Sequence, residues 1–244
     1  MKRGLLQALD PRTRVLGTLF LVFAAVLCRR VEILAGLFGI AIVLAFGSRV
    51  GLGTLIKRVW LIIFGFTGLI ALPALFTTPG QPLVRLPGFH GFISVQGLRT
   101  AALLVLRVET AATLTTILVL STPWSHILKA LRSLHLPAEV VTMLAMTHRY
   151  VFLLMETANQ MFESRQSRAV GKLKGAELRR MVASTAGVLL SKSIEVSHEV
   201  YLAMLSRGFQ GEIRLLDDFR MSARDYAALA AFLVIGCVAV GLGR

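Results

Sequence analysis

Five apolar runs, at residues 15–28, 33–47, 59–76, 98–120 and 226–242, constrain this chain more than any other feature. A helix needs about 20 residues to cross roughly 30 Å of hydrocarbon. The last three runs approach that length. The first two are shorter; they either span with Arg14 and Arg29 reaching toward the interface, or form a hairpin that crosses in part. With 55% hydrophobic and 16% charged residues and a mean hydropathy of +0.72, the chain is too apolar for an ordinary soluble domain. The expected class is an all-α membrane protein with about five transmembrane helices. Lys2 and Arg3 precede the first run, as in a signal peptide, but no A-x-A site follows it, and Leu27 before Cys28 suits a lipoprotein site poorly. A retained membrane helix is expected.

The net charge of +14 raises nucleic-acid binding as a function, but that needs a soluble basic face with aromatics or a reading helix. Here the basic residues flank apolar runs, which is how a membrane protein fixes its orientation. Residues 121–225 hold fourteen Lys and Arg, whereas the loop 77–97 holds one, Arg85. The N-terminus, with Lys2, Arg3, Arg12 and Arg14, the loop with Arg49, Lys57 and Arg58, and the region 121–225 are therefore expected in the cytoplasm. Arg29 and Arg30 run against the rule, although Glu32 sits beside them. The loop 77–97, with Pro79, Pro82, Pro87 and several glycines, reads as turns. The expected organisation is four membrane helices in 1–120, a helical cytoplasmic or interfacial region in 121–225, and a last membrane helix in 226–244.

Within 121–225 the spacing predicts three helices. Ser121-Thr122-Pro123 starts a short one that Leu136-Pro137 breaks. A second runs from about Ala138 to Arg168. Its apolar stripe holds Val141, Leu144, Ala145, His148, Phe152, Met155 and Phe162, beside a polar stripe of Thr142, Arg149, Glu156, Gln160 and Glu163. A third runs from about Glu177 to Arg207, with Leu178, Met181, Val182, Thr185, Leu189, Val196, Val200 and Met204 on its apolar side, and Gly208 as a stop. Helices too polar for lipid and too apolar for water lie along an interface or pack on a partner. Near their ends, Ser167-Arg168-Ala169 and Ser206-Arg207-Gly208 each place one arginine between two small residues.

These residues resemble the transmembrane T component of energy-coupling factor (ECF) importers, most of all the subgroup serving cobalt and nickel. The resemblance covers nearly the whole chain. It rests on Asp10-Pro11-Arg12-Thr13-Arg14, Ser121-Thr122-Pro123, Leu136-Pro137, Arg149-Tyr150, the Ser167-Arg168-Ala169 element, and Ala203-Met204-Leu205-Ser206-Arg207-Gly208-Phe209 followed by Gly211-Glu212. The family carries two small-Arg-small signatures, commonly Ala-Arg-Gly. The first departs more here, and Gly171 could be its glycine displaced by two positions. The resemblance implies that the helices are cytoplasmic coupling helices. Their arginines, Arg168 and Arg207 with neighbours Ser167, Ala169, Ser206 and Gly208, would enter grooves on two ATP-binding-cassette ATPase subunits. The apolar stripes, represented by Val141, Phe152, Met155, Leu189, Val196 and Val200, would hold a membrane-embedded S component that captures the substrate, with or without a small accessory membrane subunit. It further implies a multi-pass protein of the bacterial inner membrane, no cofactor on this chain, ATP and magnesium on the ATPases, and cobalt(II) as cargo, with nickel(II) or a vitamin as alternatives.

A planar guanidinium with five donors suits acidic side chains and helix C-terminal carbonyls, and small neighbours let a helix tip enter a groove. Arginine near a helix C-terminus also opposes the macrodipole, so each alone reads equally as an ordinary cap. Other residues carry weaker signals. His90, His126, His135, His148 and His198 form no ligand spacing, and Cys28 and Cys237 no CxxC, so no metal site is expected on this chain. Arg107 and Glu109 on the fourth run point to different faces and are expected to pair with other helices. No phosphate loop or nucleophile motif appears, which argues against catalysis. Two other classes stand beside the ECF reading: a self-sufficient metal permease relying on groups such as Glu109, and a basic nucleic-acid module.

Overall fold

The computed structural model describes residues 9–48, 53, 60–77, 82–85, 92–134, 136–168, 175–211 and 222–243. In order these form α1 (Pro11–Leu27), α2 (Val31–Gly47), α3 (Leu61–Thr77), β1 (Pro82–Arg85), β2 (Phe92–Ser94), α4 (Val95–Ser121), α5 (Trp124–Ser133), α6 (Ala138–Arg168), α7 (Gly175–Ser206) and α8 (Ala223–Gly243). Each apolar run lies on a helix, so the all-α membrane class holds. By length and apolarity α4, α6 and α8 can cross a membrane. The 17 residues of α1 and of α2 extend only about 25 Å each. The inclusion of α6 differs from expectation; an 18-residue stretch of it reaches a mean hydropathy of 1.2, well below the 2.2 reached in α8. The 77–97 loop, read as turns, holds an antiparallel hairpin pairing Pro82 with Ser94 and Arg85 with Phe92. Its strands are four and three residues long, too short for an alternating pattern to show beside so many prolines and glycines.

The chain divides into two compact units, one of residues 1–130 with 218–244, the other of residues 131–217. The first is a helix bundle. Leu21, Ala25, Cys28, Leu34, Leu37, Leu114, Ile117 and Phe232 make its core, while Val43, Phe46, Phe64, Phe66, Val234 and Leu242 are more than half exposed, as lipid-facing residues would be. Helices α1 and α8 run parallel and very close. A Cβ on Gly17 would enter the ring of Phe232, and one on Gly236 would enter the ring of Phe20. Each helix thus offers a glycine hollow to the other's phenylalanine, the small-residue contact by which membrane helices approach without a hydrophobic driving force. Trp60 donates its indole N–H to Thr113 Oγ1 at 3.2 Å and stacks at a tilt on Phe38, anchoring the start of α3 on α4.

The ends of this bundle are polar and ordered. Asp10 is the N-cap of α1, accepting from the Arg12 N–H, with Pro11 at the next position, where the missing N–H costs nothing. At the opposite end the Arg29 N–H donates to the Gly243 carbonyl at 2.8 Å. Arg107 pairs with another helix as expected, donating to the Cys28 carbonyl at 2.8 Å. Glu109 does not: both its carboxyl oxygens are sealed from solvent and accept no hydrogen bond among the described residues. Of the two free cysteines, Cys28 is a buried filler and Cys237 is exposed.

The second unit is built on α6 and α7, of 31 and 32 residues, beginning and ending within two residues of the expected bounds. Pro123 and Pro137 each stand just ahead of a helix, and their carbonyls accept the first helical hydrogen bonds, from Ile127 and Val141. Proline is one position earlier before α5 than the expected first helical residue.

Candidate functional site

Helices α6 and α7 have almost no fully buried residues of their own. Among their described residues only Val141 and Thr185 are buried. Of the expected apolar stripes, Phe152 and Met155 are about 60% exposed, and Leu189, Val196 and Val200 are half-buried. In a bundle helix such residues would be packed on the chain itself. Here the apolar faces are covered only in part among the described residues.

Between α6 and α7, within the second unit, lies a groove of about 630 Å³. It takes in Val196 and Val200 but not Val141, Phe152, Met155 or Leu189. Its α6 wall holds Met143, Met146, Tyr150 and Leu154, which belong to neither expected stripe, with Glu139, Thr142 and Thr147 beside them. Met204 and Phe209 line its end. Unbranched methionines adapt to irregular surfaces, so the lining suits an apolar partner of variable shape. Recurrence at 143, 146, 150 and 154 was the available signal, masked by Thr142, Thr147 and Arg149 among them.

The tips share one local chemistry. Ser167 donates its hydroxyl to the Glu163 carbonyl at 2.7 Å, and Ser206 donates to the Leu202 carbonyl at 2.9 Å. Each serine directly before the arginine therefore folds back on its own helix four residues earlier. This keeps the tip narrow and takes up a late helical carbonyl. Both arginines, Arg168 and Arg207, are exposed, and neither guanidinium makes a hydrogen bond or ion pair among the described residues. The contrast with Arg165, one turn earlier on α6, is direct. Arg165 crosses to α7 and donates to the Met181 carbonyl and the Ser184 hydroxyl. One arginine of that last turn ties the two helices together while the other projects freely.

The second tip ends in a fully formed Schellman turn. Gly208 has φ +80, its N–H donates to Leu205 at 2.9 Å, and the Phe209 N–H reaches back to Met204 at 3.0 Å. Nothing lies within 4 Å of a Cβ at Gly208, so glycine is needed for its backbone and not for space. Ser206-Arg207-Gly208 thus reads physically as last helical residue, cap and left-handed stop. Ala169 and Gly171, the corresponding positions of the first tip, lie outside the described residues, as do His90 and His135. Among the described residues no three His, Cys, Asp or Glu side chains gather as a metal site.

Residues 2–216 match the family model described as CbiQ, cobalt transport protein. An uncharacterised protein of Methanocaldococcus jannaschii is 32% identical over 99% of this chain and 84% of its own length. The energy-coupling factor transporter transmembrane protein EcfT of Thermanaerovibrio acidaminovorans is 29% identical over 93% of this chain and 88% of its own. The cobalt transport protein CbiQ of Rhodobacter capsulatus is 32% identical over 59% of this chain and 60% of its own. With the apolar helices and paired tips in place, the match over most of its length makes this chain a member of the CbiQ cobalt transport protein family, an energy-coupling factor transmembrane component.

Proposed function

We propose that this subunit carries no chemistry of its own and transmits force. Two ATP-binding-cassette subunits, which bind ATP and magnesium, receive the tips at Arg168 and Arg207. A substrate-binding S component in the membrane, with or without a small accessory subunit, rests on the apolar faces of α6 and α7. When nucleotide draws the two ATPases together, their grooves carry the tips. Helices of 31 and 32 residues pass that displacement to the faces that hold the S component, which reorients and releases its cargo inward. Met204 and Phe209 belong both to the Schellman turn that sets Arg207 and to the end of the groove, so contact at one is felt at the other. The family description and the name of the Rhodobacter relative favour cobalt(II) as cargo; nickel(II) and vitamins are the alternatives. The N-terminus and coupling helices face the cytoplasm of the inner membrane on this reading.

The observation that carries it is the pairing: two long helices with largely exposed apolar faces, each ending in a back-bonded serine and an exposed arginine whose guanidinium has no partner among the described residues. The test is alanine at Arg168 and Arg207, singly and together, scored by co-purification of the ATPases and by metal uptake. The double variant is expected to lose both, because the fork of donors is gone from each dock. Normal uptake by the double variant would refute docking at the tips. Metal flux through the reconstituted chain alone, dependent on the orphan Glu109, would favour the self-sufficient permease instead.

A further inference from the structure

The bundle contains a hydrogen-bonded node that the coupling reading does not use. One carboxylate, that of Asp225, serves two helix starts. Its Oδ2 accepts the Ser222 N–H at 2.8 Å, closing the first turn of α8, and its Oδ1 accepts the Asp10 N–H at 2.7 Å, at the start of α1. In a capping box an acidic side chain serves the cap of its own helix; Asp225 does this and also reaches across to α1. The other face of the same Leu9–Asp10 peptide, the Leu9 carbonyl, accepts from the Arg14 guanidinium at 3.1 Å. Arg14 then donates to the Ser121 carbonyl at 3.1 Å and to Thr122 Oγ1 at 3.4 Å. Asp10, Arg14, Ser121, Thr122 and Asp225 are each less than a tenth exposed, where a charge-assisted network is strong and a missing partner is costly. Asp10 and Asp225 also attract the guanidinium through space.

The two ends of this relay have a topological meaning. Ser121 and Thr122 end α4, from which the chain goes on to residues 131–217; Ser222 begins α8, by which it returns. The outgoing and returning segments therefore hang on one relay, running Thr122–Arg14–Leu9/Asp10–Asp225–Ser222. We propose that Arg14 and Asp225 are positioning residues that lock the two roots of the coupling region together, so that the roots move as one and a displacement at the tips is not lost by independent slippage. The transport part of this inference rests on the function proposed above; the locking part does not.

The test has two arms. In the first, hydrogen–deuterium exchange is followed on the purified chain in detergent for wild type, Arg14→Met and Asp225→Asn. A linked node predicts cross effects: Arg14→Met speeds exchange about tenfold at residues 222–226, to which Arg14 donates no hydrogen bond, and Asp225→Asn does the same at residues 120–124. Loosening confined to the hydrogen bonds of the altered side chain overturns the lock, and because the two variants break opposite ends, either one alone decides if the other fails to accumulate. In the second arm, Arg14→Lys, which keeps the charge but not the fork, is assembled into the importer. Uptake per ATP hydrolysed is expected to fall several-fold while ATPase co-purification stays at the wild-type level. An unchanged ratio overturns the coupling role. Failure of the function itself would show separately, as normal uptake by the Arg168 and Arg207 double variant, and would leave the exchange result standing.

Discussion

The two units spend the same kind of apolar sequence differently. In the bundle, Leu21, Ala25, Leu34 and Ala41 are almost wholly inaccessible, and glycines on α1 and α8 receive aromatic rings. Along α6 and α7 residues of the same hydrophobicity, Phe152, Met155, Leu190 and Ile194, stand about 60% exposed. Removing apolar surface from water or from a poorer packing partner is the main stabilising term available to either unit. A region that leaves it undone holds that free energy for association. The bundle packs a core of its own and turns its remaining apolar residues, Val43 and Phe64 among them, outward as toward lipid; α6 and α7 bury one residue each and, on the function proposed above, are completed by what binds them.

The sharpest way to break this contrast is to place the same kind of substitution in each unit. Gly17→Ala puts a methyl carbon into the ring of Phe232 and is expected to cost about 2 kcal/mol of bundle stability, read by thermal unfolding in detergent. Gly187→Ala, in the middle of α7 with nothing within 4 Å of its Cβ, is expected to gain up to about 1 kcal/mol from helix propensity. Equal losses at both positions would mean that α7 is packed as tightly as α1, and the division would fail.

A smaller effect is expected at the second tip. Gly208 must hold φ +80, a conformation that costs an L-residue about 1 kcal/mol. Gly208→Ala should therefore leave the bundle's unfolding unchanged, loosen the turn that places Arg207, and lower uptake several-fold at normal ATPase levels. Gly208→Asn, which tolerates the left-handed region better, should restore part of it. An alanine variant with full uptake would show that the tip does not need a fixed turn.

What the sequence revealed follows from where its signals are local. Helix bounds at 138–168 and the stop at Gly208 were legible because proline, glycine and the apolar period act within one or two turns. Pairing of Arg107 with another helix was legible because a cation at that depth must find a partner, although nothing local named the Cys28 carbonyl as that partner. The groove wall at Met143 and Met146 was not, because polar residues interleave with it and a period cannot tell which of two adjacent faces meets a neighbour. The dual role of Asp225 depends on a contact 215 residues away in sequence. Glu109 was expected to pair and accepts no hydrogen bond among the described residues; charge alone does not name a partner. The serine back-bonds at 167 and 206 were within reach of spacing rules, since a hydroxyl near a helix end commonly bonds four residues back.

The smallest expected effect tests whether the polar side of α7 belongs to the solvent. Lys192 and Glu195 form an ion pair at 3.3 Å, with side chains 47% and 61% exposed. Such a pair is worth less than about 0.5 kcal/mol, since water screens it and two flexible side chains must be held. Lys192→Ala should shift the unfolding temperature hardly at all and leave uptake intact. If stability is unmoved but ATPase co-purification or uptake falls, the loss cannot come from the pair itself. It would mean that a partner covers the polar face as well as the apolar one, and that the coupling helices are enclosed on both sides in the assembly instead of being gripped along a single stripe.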